Sequence, residues 1–85
     1  MAERKVTVMA KVGLHARPAA TFVQAAAKAP IDVTVAKTKG DPVNAKSILA
    51  VMALDVRQGE EIVIRAEGEG AEELVDELAA IASAP

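Results

Sequence analysis

The chain has 85 residues, 52% of them apolar, with a formal net charge of −2, one histidine, one aromatic residue and no cysteine. Interspersed charges and a lone aromatic exclude a nucleic-acid footprint or a base-stacking platform. The missing cysteines exclude a disulfide framework and a thiolate metal site, and no apolar run approaches the ~20 residues of a membrane span.

That length fits one small domain, residues 1–85, whose core must be built from Ala, Val, Ile and Leu around Phe22. Met1-Ala2-Glu3-Arg4-Lys5 lacks the apolar segment of a secretory signal, so a soluble cytoplasmic protein is expected. Lys5-Val6-Thr7-Val8-Met9-Ala10 alternates and predicts a strand with Val6, Val8 and Ala10 inward. Gly13 breaks that pattern. From Ala16 to Lys28 the apolar Ala19, Phe22, Val23 and Ala26 recur at helical spacing, with Pro18 in the first turn and Pro30 ending the segment.

Ile31 to Lys37 alternates again, with Ile31, Val33 and Val35 inward. The turn Thr38-Lys39-Gly40-Asp41 leads to a short strand around Pro42-Val43-Asn44, which Pro42 places on a sheet edge. A short helix is predicted from about Ser47 to Leu54, and a last strand over Glu61–Ala66 after a turn at Gln58-Gly59. Beyond Gly68-Glu69-Gly70, the residues Ala71, Leu74, Val75, Leu78 and Ile81 form one helical stripe, with Glu72 and Glu73 suited to its N-terminal dipole. The order β-α-β-β-α-β-α implies an α+β open-faced two-layer sandwich: a four-stranded, mainly antiparallel sheet with three helices on one face.

Chemistry concentrates in Gly13-Leu14-His15-Ala16-Arg17-Pro18-Ala19-Ala20. A neutral imidazole is a good nucleophile toward phosphorus. A helix N-terminus offers unpaired N–H groups and partial positive charge to a phosphate, and Arg17 adds a planar set of donors. Pro18 fixes the first turn and so aims its donors, and Ala16 contributes a backbone N–H. Together these parts can accept a phosphoryl group, hold it and release it. With one histidine, no cysteine and dispersed acids, no metal or other cofactor is expected. No nucleophile elbow is present either.

This stretch resembles the active-site signature of the histidine-containing phosphocarrier (HPr) family of the bacterial phosphoenolpyruvate-dependent sugar phosphotransferase system. Asn44-Ala45-Lys46-Ser47-Ile48-Leu49-Ala50-Val51-Met52 is similar to that family's second helix and regulatory serine. The resemblance implies the same sandwich and a phosphohistidine at Nδ1 of His15. It also implies a carrier without a small-molecule substrate of its own, rather than a free-standing enzyme. Its implied donor is enzyme I, and its implied acceptors are the A domains of sugar permeases.

On the second helix, at about 100° per residue, Val51 and Leu54 share one side while Ile48, Leu49 and Met52 gather on another. One stripe is buried against the sheet, so the other is expected to be exposed for docking, extended by Ala20 and Gln24 on the first helix. Gln24 stands where some relatives carry lysine, and Asp55 where glycine is often found. Ser47 suits a helix N-cap. The resemblance adds phosphorylation of Ser47 by a dedicated kinase, which would plant charge beside Ile48 and Leu49. A monomer is expected. Two other functions share the fold: a regulatory module acting on transcription regulators or metabolic enzymes, and a carrier for a nitrogen-related or dihydroxyacetone-kinase branch.

Overall fold

A computed structural model describes residues 1–85. In chain order it contains β1 (Ala2–Thr7), α1 (Ala16–Lys28), β2 (Asp32–Lys37), β3 (Val43–Asn44), α2 (Ile48–Ala53), β4 (Glu61–Glu67) and α3 (Ala71–Ser83). The four strands form one sheet in the order β1-β4-β2-β3, and every neighbouring pair is antiparallel. β4 is central: Ile64 stands opposite Arg4 on one side and Val35 on the other. β3 is an edge strand, as Pro42 implied, and β1 is the other.

Strand alternation decides which face the helices cover. Ile62, Ile64 and Ala66 of β4 are buried, while Glu61, Arg65 and Glu67 face water. The helices lie on the buried side, giving the open-faced α+β sandwich. α3 packs across β1 and β4, α1 packs on α3, and α2 bridges α1 and β3. Phe22, Leu14, Ile62, Ile64 and Leu78 are the largest wholly buried side chains, and no polar side chain is buried. Truncating Phe22 there removes about 3–5 kcal/mol of stability. No helix is long and apolar enough to cross a membrane.

Two boundaries differ from the periodicity. β1 begins at Ala2 and ends at Thr7, although Val8 and Ala10 do point into the protein. The ladder is set by its partner: Ala2 pairs with Ala66 and Thr7 with Glu61, so β4 fixes where β1 ends. Arg4 lies on the inward side of β1 and turns its guanidinium to the surface of α3. There its Nε lies 2.8 Å from Asp76 and its Nη2 lies 3.0 Å from Glu72. On α3, Ala82 completes the buried stripe and Ile81 is only half-buried.

Candidate functional site

The approach to α1 is fixed by backbone contacts to the segment that follows α2. Gly13 has φ 74, and a Cβ there would collide with the Val56 carbonyl oxygen and lie 2.9 Å from Arg57 Cα. Leu14 N–H donates to that same carbonyl at 2.9 Å, and the Leu14 side chain is wholly buried. Glycine is therefore required at 13 for two reasons, close approach and a left-handed φ. Two loops more than 40 residues apart in sequence are held together directly beneath His15.

His15 is extended, with φ −134 and ψ 170, and is the last residue before α1. Its side chain makes no capping bond and is 30% exposed. Ala16 follows at φ 51, a left-handed conformation costing a non-glycine residue about 1–2 kcal/mol. The turn then enters α1 with Arg17 and with Pro18, which has no N–H to satisfy. Ala19 N–H donates to the His15 carbonyl at 3.3 Å, but the Ala16 and Arg17 N–H groups have no acceptor within the protein. The Arg17 guanidinium is exposed and engages no other protein group. An imidazole, two free amides and an unpaired guanidinium thus belong to the three residues that open α1. That set can meet a tetrahedral dianion without reorganising the fold.

Asp55 enters this site from behind α2. It adopts φ 53, and the tolerance of aspartate for that region explains how it stands where glycine would be easiest. Its Oδ1 lies 3.4 Å from His15 Nε2, and its Oδ2 lies 3.2 Å from Arg57 Nη2. The Arg57 hydrogen bond and charge, with smaller help from Lys37 and His15, hold the Asp55 carboxyl below the usual carboxylate range. Nearby, Glu60 is also lowered, chiefly because its Oε1 accepts the Arg57 backbone N–H at 2.8 Å. Sequence reading found the unusual residue at 55 but not its approach to His15. Only the fold brings those positions together.

α2 presents the second candidate surface. Ser47 caps it, its hydroxyl accepting Ala50 N–H at 3.2 Å. Val51 is buried and Leu54 half-buried, whereas Ile48, Leu49 and Met52 are exposed, Leu49 to 78%. Gln24 is exposed and Ala20 half-buried on the neighbouring α1. Lys46 donates from Nζ to the Ala29 carbonyl at 2.8 Å and so ties the start of α2 to the end of α1, a contact that sequence alone did not show. No group of three His, Cys, Asp or Glu side chains is arranged to hold a metal ion.

Comparison with known proteins places the chain in one family and agrees with its fold. A family model described as the PTS HPr component phosphorylation site matches residues 2–84. The phosphocarrier protein HPr of Streptomyces coelicolor is 53% identical over 79 residues, covering 93% of this chain and 85% of that one. The crystal structure of HPr from Bacillus anthracis superposes with a TM-score of 0.91 at 44% identity, covering 96% of each chain. That of the Bacillus subtilis catabolite repression protein Crh, described as a dimer with a swapped domain, gives 0.73 at 45% identity, covering 96% and 93%.

Proposed function

This chain belongs to the HPr family and is a phosphocarrier protein of the phosphotransferase system, and from that premise we propose that His15 is the residue that takes and gives the phosphoryl group. The donor in this reading is enzyme I, charged by phosphoenolpyruvate, and the acceptors are the A domains of sugar permeases. The observation that carries it is the pair of free N–H groups at Ala16 and Arg17 beside an accessible imidazole. The arriving dianion is met by those amides and by the Arg17 guanidinium. Pro18 holds the turn that aims them.

Restraint matters as much as attraction. The site is open at the surface, so the phosphoryl group stays within reach of the next protein. The exposed Ile48, Leu49 and Met52, with Ala20 and Gln24, form the surface on which both donor and acceptors dock. Methionine adapts to several partners. In this reading the whole of residues 1–85 acts as one cytoplasmic domain and as a monomer.

The likeness to Crh favours a second role on the same helix. A kinase acting on Ser47 would place a phosphate beside Ile48 and Leu49 and redirect this surface toward transcription regulators. His15 and Arg17 favour the carrier as the primary role, because a purely regulatory module has no chemical need of them.

The test is intact-mass measurement after mixing the protein with enzyme I, phosphoenolpyruvate and magnesium. One acid-labile phosphate is expected on the unmutated chain and none on His15→Ala. An unmutated chain that gains no mass overturns the reading. Met52→Glu is expected to weaken enzyme I binding, and undiminished affinity removes that face from the docking surface.

A further inference from the structure

The least economical residue near the site is Asp55. It occupies φ 53, where glycine carries no penalty, and its carboxylate is divided between two partners. Oδ2 lies 3.2 Å from Arg57 Nη2, which fixes the rotation of the carboxylate, and Oδ1 is thereby turned to His15 Nε2 at 3.4 Å. Backbone strain retained at a site, together with a carboxylate aimed at the reacting ring, points to a role in the chemistry. The approach to Nε2 is longer than a fully formed N–H···O bond. Contacts of this kind often lengthen before a partner binds and tighten in the reacting complex.

We infer that Asp55 is a positioning residue for His15: it accepts the Nε2 proton's hydrogen bond, fixes the ring, and leaves Nδ1 as the atom that attacks phosphorus. The logic is that of a carboxylate orienting a histidine, with Arg57 in turn orienting the carboxylate. The inference rests on the phosphocarrier reading for the step it serves. In that step the Nδ1 lone pair forms the N–P bond while the donor's bond to phosphorus breaks, and the departing donor atom keeps that bond's electron pair. The ring then bears both Nε2–H and a phosphoryl group on Nδ1, and is cationic. The Asp55 carboxylate faces that positive charge on the side away from the phosphate. When the phosphoryl group leaves, the N–P electrons return to Nδ1 and the ring is neutral again. No proton has to leave Nε2 in either direction.

Geometry also shows how precisely the pair is held. Asp55 directly precedes Val56, whose carbonyl accepts Leu14 N–H at 2.9 Å and blocks any side chain at Gly13. His15 directly follows Leu14. The two residues of the pair are therefore each one peptide from the same backbone clamp.

The experiment is nitrogen-15 NMR of the His15 ring in the unphosphorylated protein at about pH 9, above the ordinary histidine range. Asp55→Gly relaxes the backbone and removes the acceptor. Asp55→Asn keeps left-handed tolerance and an acceptor oxygen but removes the charge. The unmutated protein is expected to hold its proton on Nε2. Asp55→Gly should shift the ratio of the two tautomers toward Nδ1–H by about two- to fivefold, the range open to an exposed charged pair, with Asp55→Asn between. Phosphoryl transfer from enzyme I should slow by a similar factor in the same order. An unchanged tautomer ratio in both variants overturns the inference, as does slowed transfer in the two variants without any tautomer change. The ring measurement needs no donor, so it decides the role of Asp55 even where the unmutated chain fails to take up phosphate.

Discussion

The first turn of α2 is closed by its own chain, Ser47 accepting Ala50 N–H, whereas the first turn of α1 leaves the Ala16 and Arg17 N–H groups without an acceptor. The start of α2 lies against the end of α1, and of the two helix starts only that of α2 has been given a side-chain cap. A cap is worth about 1 kcal/mol, and the left-handed Ala16 adds a further cost at α1. The difference teaches where this fold gives up stability: at the turn that receives the phosphate in the proposed reading, and not at the turn that starts α2. In that reading the free donors of α1 are the ones an incoming anion uses.

The largest effect that breaks the comparison is expected at Gly13. Gly13→Ala drives a Cβ into the Val56 backbone at a positive φ. A loss of about 2 kcal/mol or more is expected in denaturant unfolding, with slower phosphoryl uptake at His15. Wild-type stability would show that the two loops are not clamped there. Next comes Arg17→Ala. Arg17 has no partner within the protein, so its removal should slow phosphoryl transfer about tenfold while the unfolding midpoint stays where it was. Loss of stability with unaltered transfer would reverse the assignment.

Ser47→Ala provides the opposite pattern and sharpens the contrast. It should cost about 1 kcal/mol of stability and leave transfer through His15 intact. The smallest effect concerns acid. Asp55 and Glu60 have folded-state pKa values below the ordinary carboxylate range, so each contributes stability that is present above that range and lost as pH falls through its lowered value. Unfolding experiments should therefore show stability declining below about pH 4, and a shallower decline in Asp55→Asn/Glu60→Gln. Parallel pH profiles for the two proteins would remove these groups from the acid response.

Local pattern explains what was legible beforehand. α1 runs from Ala16 to Lys28 as its periodicity implied, because Ala19, Phe22 and Ala26 are all buried on one stripe. α2 exposes Ile48, Leu49 and Met52 because a helix packed on one side can bury only Val51 and part of Leu54. The sequence also drew attention to His15 and Arg17 by their spacing from Gly13 and Pro18. What escaped it depends on distant pairing. β1 starts at Ala2 because Ala66 of β4 is there to receive it, although Ala2-Glu3-Arg4 shows no apolar alternation. The Arg4 contacts to α3 and the Asp55 approach to His15 join segments about 70 and 40 residues apart, which no local periodicity encodes.

The free donors of the α1 turn are tested most directly by recording backbone amide NMR shifts before and after phosphorylation by enzyme I. Large downfield proton shifts are expected at Ala16 and Arg17, with Ala50 at the capped turn of α2 unmoved. Unmoved Ala16 and Arg17 amides in a fully phosphorylated sample would contradict the role given to them.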